Sequence, residues 1–425
     1  MTYTKDTIIV GGGIAGLYCA YKINQVNPSQ TILIIESDKE LGGRIRTHYE
    51  KQFQIEKGAA RFSRNHTELL KLIGEFGLTD DLCPIPNEKN FIYQKKKISY
   101  KLEDKFQDLL KKGLEKPTEY LVKVTLYQLC VDLYGSEEAD KIQAISGYDA
   151  EFIRLNAYAA LHMFKDDMLG DDPYYVLKSG LSELIKRMES KIKESSSVEI
   201  LFGTEVTEIQ NRRIVARTGD KEHKFSSLVI ICAVPYLSLR KLPIFQELDI
   251  LHSVKPISLC RIYVKYPMVN GKPWFHGMTK TTTDNYLRYI IPMSDGVIMY
   301  YADLYVADLW RNWSNVSDEK LTEMLHKELH QVLPGKKIPK PLKIKVCHWK
   351  AGVHAWRPNY NFQKISKQMI QPFHNDIYVA GECYSTKQDW IEGSLITGNM
   401  VLAKLGIISA KRGSKKKKSL KKSPK

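Results

Sequence analysis

Six residues near the N-terminus carry the clearest chemistry in the chain. Gly11-Gly12-Gly13-Ile14-Ala15-Gly16 is a G-x-G-x-x-G pattern. In such a pattern Gly11 permits a tight turn, Gly13 lets a pyrophosphate approach the backbone, and Gly16 lets a helix pack against the preceding strand. The exposed N–H groups and the positive helix end bind a diphosphate without a basic side chain. Glu36 follows Gly16 by 20 residues, where a carboxylate ending a second strand accepts both ribose hydroxyls of an adenosine. These residues predict a dinucleotide site. Other reactive side chains form no comparable pattern. The seven cysteines (Cys19, Cys83, Cys130, Cys232, Cys260, Cys347, Cys383) include no C-x-x-C pair, so neither a disulfide framework nor a metal site is expected. His48, His66, His348 and His354 have no partner spacing and read as structural or exposed.

The elements that must position the loop are legible around it. Thr7 to Val10 is a β-rich apolar run, Leu17 to Ile23 has helical composition, and Thr31 to Ile35 reads as a strand ending in Glu36. This is a β-α-β unit with parallel strands. Leu69, Leu70, Leu72, Ile73 and Phe76 fit a helix closed by Gly77. Residues from about 103 to 166 look mainly helical. Strand-like runs return at Val198 to Ile209 and Leu228 to Ala233, where Pro235 blocks extension, and dominate from Ser258 to Tyr301. A helix is expected between Asp318 and Val332, a last strand at Ile377 to Ala380, and a helix from Gly393 to Leu405. No internal repeat is visible. The pattern predicts an α/β protein: a discontinuous Rossmann-type nucleotide-binding domain from residues 1–80, 175–250 and 370–410, and a mixed α+β substrate domain from 81–174 and 251–369.

Length and composition agree with two domains. A chain of 425 residues exceeds the size at which a single core keeps growing. Hydrophobic residues make up 43% and charged residues 26%, and no apolar run reaches the roughly 18 residues of a membrane span. The first apolar stretch runs into glycines instead of a small-residue cleavage site, so no signal peptide is expected and the location is intracellular, cytoplasmic or nuclear. The formal charge is +16, but Lys411 to Lys425 holds nine Lys and Arg and no acid, leaving +7 (16 minus 9) for the rest. That tail has almost no apolar residue and is expected to be disordered. It reads as a signal for an import receptor, a tether to nucleic acid or anionic membrane, or a solvated end. Heavy use of Lys, Ile, Asn and Tyr suggests an AT-rich genome and a microbial or virus-associated source.

Six residues beyond Glu36 lies Gly42-Gly43-Arg44-Ile45-Arg46-Thr47. Here the sequence resembles the flavin-containing amine oxidase family, which spans monoamine, polyamine and L-amino acid oxidases. The resemblance implies FAD, with Gly43 and Arg44 at the diphosphate and flavin, a role that suits a planar guanidinium. Gly58-Ala59-Ala60-Arg61 is similar to the segment beneath the flavin ring, and Lys178-Ser179-Gly180-Leu181 to a turn before a helix. Thr204-Glu205-Val206 resembles the strand whose valine backbone meets adenine, and Leu228 to Pro235 another family strand. Ala380-Gly381-Glu382 with Trp390-Ile391-Glu392-Gly393-Ser394-Leu395 and Gly398 is the second strong signature. It implies that Glu382 contacts the ribityl chain, and that the helix start at Trp390 and Ile391 aims N–H groups at the pyrimidine side, where reduced flavin gains negative charge. No cysteine matches a covalent attachment site, Cys383 being misplaced, so the FAD is expected to be noncovalent.

The reaction implied is hydride transfer to flavin N5 from the carbon bearing an uncharged amine, then imine hydrolysis and reoxidation by molecular oxygen to peroxide. Trp390 matches one aromatic wall of the substrate site and Trp356 is a weaker match to the other. Gly58-Ala59-Ala60-Arg61-Phe62 is most similar to the L-amino acid oxidase branch, whose matching arginine pairs with the substrate carboxylate and orients the α carbon. A structural arginine reaching backbone or flavin phosphate is the other reading of Arg61. The small-molecule substrate is thus an amine or L-amino acid. One departure stands out: Leu259 falls where many relatives place a lysine, flanked by Lys255 and Arg261. A dehydrogenase, an isomerase, or a flavin-binding interaction module tethered by its tail is therefore the alternative on the same scaffold.

Overall fold

The computed structural model describes residues 2–50, 53–86, 88–165 and 173–409; the expectation for the tail at 411–425 lies outside the described residues. Strand β1 (Thr2–Val10), helix α1 (Ile14–Val26) and strand β2 (Ile32–Ile35) form the β-α-β unit. Strand β1 pairs in parallel with β2 on one side and with Lys221–Cys232 on the other. Strands with both faces covered read as continuous apolar runs, and here Ile8 and Val10 enter one core while Ile9 enters another. The full sheet has the order Glu205–Gln210, Arg213–Thr218, Lys221–Cys232, β1, β2, Val198–Leu201, with Ile377–Val379 also paired to Lys221–Cys232. Its first two strands are antiparallel to their neighbours.

A second seven-stranded sheet runs Lys343–Trp356, Val254–Lys265, Val297–Asp303, Tyr289–Pro292, Lys280–Thr283, Lys89–Tyr93, Lys96–Ile98. Alternation along these strands separates two faces. Cys260, Ile262, Val264, Ile290, Ile298 and Tyr300 are buried together with residues of the helices Leu304–Val316 and Asp318–Val332. The opposite face carries Arg261, Tyr263, Tyr289 and Tyr301 and looks onto the segment 56–61. Arg261 donates to the carbonyls of Glu56 and Gly58, the Tyr263 hydroxyl to that of Glu56, and the Trp349 indole to that of Lys57.

The helices expected between 103 and 166 are present, beginning with Leu102–Leu114 and including Leu126–Tyr134 and Ser136–Ser146. The hairpin Lys89–Ile98 carried no signal in the sequence. Its turn places Gln94 and Lys95 at φ of 49° and 62°, positions where Asn or Gly would have announced it. Among the described residues no helix is long and apolar enough to cross a membrane.

Candidate active site

The glycine loop opens where β1 ends. A Cβ on Gly11, which sits at φ +103°, would lie 2.6 Å from the Ala233 carbonyl oxygen, and one on Gly16 would lie 2.1 Å from that of Gly11. Only glycine lets α1 start this close to the strand. At Gly13 the opposite holds: a Cβ would meet nothing within 4 Å, so the backbone there faces open space in front of the helix N-terminus. That is the shape a diphosphate needs. Buried Glu36 accepts from the Gly12 N–H at 2.6 Å and from the Asp38 N–H at 2.7 Å, which holds its carboxylate against the loop. The Thr204 N–H donates to the Glu36 carbonyl at 2.9 Å, bringing the strand that carries Val206 beside the same corner. Gly42 donates to the Gly12 carbonyl at 2.9 Å, so Gly43 and Arg44 follow directly against the loop.

Arg44 reaches across to the second signature. Its Nη1 donates to Glu382 Oε2 and to the Gly352 carbonyl, each at 2.8 Å. Glu382 is buried and also accepts from the His354 N–H at 3.0 Å and the Asp389 N–H at 3.1 Å, with His354 Nδ1 2.8 Å from Oε2. Because an ionised carboxylate only accepts, the imidazole donates from Nδ1. Burial alone would raise the Glu382 carboxyl, yet His354 and Arg44 overcome it and hold the group well below the usual carboxylate range. Asp389, at φ 72°, goes the other way: burial first, then Glu382 and Glu151, push its carboxyl well up. His354 Nε2 and Asp389 Oδ1 are buried with no partner among the described residues. The helix Ile391–Lys404 begins one residue beyond Trp390 with no side-chain cap; the Gly393 N–H donates to the Trp390 carbonyl at 3.1 Å, which leaves the Ile391 and Glu392 N–H groups for a ligand. Orphaned polar atoms beside an uncapped helix start fit the polar edge of a flavin ring.

The segment Gly58-Ala59-Ala60 lies against Arg44, whose carbonyl accepts from the Ala59 N–H at 3.0 Å and leaves no room for a Cβ on Gly58. It delivers Arg61 to a group of aromatic rings. Arg61 Nη2 donates to the Tyr148 hydroxyl at 2.6 Å, and its guanidinium sits 4.4 Å from the Tyr174 ring centroid. Tyr174 stacks on Trp390 at 5.9 Å with planes 13° apart, and Tyr148 packs on Tyr289 at 5.2 Å and Tyr301 at 5.7 Å. Arg61 and Trp390 are therefore joined through one tyrosine. Arg61 makes no ion pair among the described residues. Glu151 Oε2 is buried without a hydrogen-bond partner among the described residues, and burial, then Asp303, pushes its carboxyl up to about 8.

The structure does not bring Trp356 to this group. The expected second wall is 2% exposed, donates from Nε1 to the Ser385 carbonyl at 3.1 Å, and packs on Phe362 and Tyr384. It fills core and presents no open face. Leu259 pairs across its strand with Trp349 and Asp303, while Lys255 lies at the exposed start of that strand and Arg261 is engaged by the carbonyls of 56 and 58. Tyr148, Tyr174, Glu151, His354 and Asp389 were not legible as site residues, because they come from separate segments with no shared spacing.

The family model described as flavin containing amine oxidoreductase matches residues 14–401. The chain belongs to this family. Among its relatives, the L-amino-acid oxidase of Sistrurus catenatus edwardsii is 24% identical over 470 aligned positions, covering 93% of this chain and 85% of that protein. The coproporphyrinogen III oxidase of Staphylococcus aureus is 30% identical over 95 positions, 22% of this chain and 20% of that protein. A solved structure of a putrescine oxidase double mutant superposes with a TM-score of 0.74 at 16% identity, covering 96% of this chain and all of that one, which shows the shared fold. As a flavin-containing amine oxidoreductase the chain is an amine oxidase-like enzyme that uses a flavin cofactor.

Proposed function

We propose that this enzyme binds FAD noncovalently and oxidises an L-amino acid, with Arg61 holding the substrate's α-carboxylate. The observation that carries this reading is the state of Arg61: a guanidinium set among tyrosines, one Tyr174 ring from Trp390, with no ion-paired carboxylate among the described residues. The loop Gly11 to Gly16 and Glu36 hold the adenosine diphosphate end, with Val206 against adenine. Arg44 and Glu382, locked together with His354, fix the middle of the cofactor. When bound, the FAD supplies at N5 the hydride acceptor for the carbon bearing the amine, and passes the electrons to oxygen as peroxide. Tyr148 and Tyr174 orient the guanidinium, Arg61 fixes the carboxylate bidentately, and Trp390 walls the carbon that loses hydride. Water then hydrolyses the substrate imine.

Replacing Arg61 by Met tests the carboxylate role. A charged hydrogen bond is worth about 1.5–3 kcal/mol, so KM for amino acids should rise by roughly 10- to 100-fold while that for simple amines moves little. Equal effects on both would refute the assignment. Leu259 favours a second reading, in which the same substrate is oxidised but an acceptor other than oxygen takes the electrons. Flavin reduced by substrate would then stay reduced in air and be reoxidised by an artificial acceptor.

A further inference from the structure

The sheet face that looks onto Arg61 also carries two lysines that lack an ion-pair partner among the described residues. Lys89 and Lys280 are register partners on the parallel strands Lys89–Tyr93 and Lys280–Thr283, so both side chains leave the same face. Like charges placed directly opposite one another destabilise a sheet. Neither lysine makes an ion pair among the described residues, and Lys280 Nζ has only a long bond, 3.4 Å, to the Pro86 carbonyl. Two residues along that strand, Thr282 pairs with Tyr289, which sets Tyr289 diagonally from Lys280 at about 7–8 Å. The Tyr289 ring packs on Tyr148, the residue that holds Arg61. Three cations thus border one group of tyrosines.

Their mutual influence is direct. Burial, then Lys89 and Arg61, bring the Lys280 ammonium down to about 7. Burial also lowers Lys89, where Tyr148 favours the charge and Arg61 opposes it. Among the described residues the acids within reach are Glu103 and Glu151, and burial holds Glu151 largely protonated at neutral pH. Lys89 keeps an exposed side chain, so its ammonium is open to a solute. One carboxylate would satisfy Arg61 and leave the lysine pair unanswered.

We propose that Lys89 and Lys280 form a subsite for a second carboxylate, so that the preferred substrate is an amino acid with an acidic side chain. The subsite rests on the reading of Arg61 as the α-carboxylate anchor. The holoenzyme is assayed for peroxide release with L-glutamate and L-aspartate against their uncharged amides, alongside Lys89→Gln, Lys280→Gln and Lys280→Arg. At least one acid should exceed its amide by about tenfold or more in kcat/KM. Each Gln variant should erase most of that advantage, and Lys280→Arg should keep it. Amides turned over as well as acids, or a ratio unchanged in both Gln variants, would overturn the subsite. Glutarate and butyrate, which cannot be oxidised as amino acids, supply a second arm through their perturbation of the bound flavin's spectrum. A glutarate advantage lost in the Gln variants supports the subsite even if no amino acid is oxidised, an outcome that would sink the oxidase reading alone. Neutral amino acids oxidised with no glutarate advantage would sink the subsite alone.

Discussion

Glu382 is a buried acid whose three polar neighbours, Arg44, His354 and the Asp389 backbone, all point at it. Removing one member of a buried ion group leaves the others uncompensated, at about 3–5 kcal/mol. Glu382→Gln should therefore destabilise the holoenzyme by about 3 kcal/mol in denaturant unfolding and release flavin on purification. Since the folded-state carboxyl titrates below its ordinary value, its contribution is present above the ordinary carboxylate range and is lost as pH falls toward the folded value. The acid subsite has the opposite dependence. A bound anion raises Lys280 from about 7, so the complex holds more protons than the free enzyme and affinity falls as pH rises past that value. Glu151 ionises near 8 and adds repulsion in the same direction. Glutarate titrations should weaken steadily from pH 7 upward; flat or strengthening affinity would contradict the charge assignment around Lys89, Arg61, Glu151 and Asp303.

Two helix starts meet next to Trp390. The Glu392 carboxylate, at the start of Ile391–Lys404, accepts from the Glu68 and Leu69 N–H groups at 3.0 and 2.9 Å, in the first turn of α2 (Thr67–Glu75). An acid at that position both caps and complements the helix dipole. Glu392→Ala should cost about 1–2 kcal/mol, read as a lowered midpoint in thermal melting, with little change if the contact is only incidental. At this scale the sequence was readable where signals are local. The glycine loop and Glu36 belong to one β-α-β unit, and alternation or helical period marked most other elements. The hairpin at 89–98 escaped because its left-handed turn residues are Gln94 and Lys95. Trp356 was misleading because a tryptophan in a strand looks the same whether it walls a cavity or fills a core.

The whole molecule brings the two sheets together over the segment 56–61. Arg261, Tyr263 and Trp349 grip its carbonyls from the second sheet, while Arg44 packs against Gly58 from the nucleotide side. Arg61 is thus aimed by both halves at once. The patterns at 11–16, 36 and 42–47 stand out in the sequence because phosphate and ribose recognition use short, fixed spacings. On the substrate side only Arg61 and Trp390 were legible, through the short motifs around them; Lys89, Tyr148, Tyr174 and Lys280 join them only through tertiary structure. The claim that joins them is flavin reduction by a carboxylate-anchored amine, tested most directly by mixing the oxidised holoenzyme anaerobically with an α-amino acid or with its decarboxylated amine. The amino acid should bleach the flavin's visible absorbance rapidly, the amine slowly, and Arg61→Met should remove the difference. Bleaching by the amine as fast as by the amino acid, or by neither, would contradict the account.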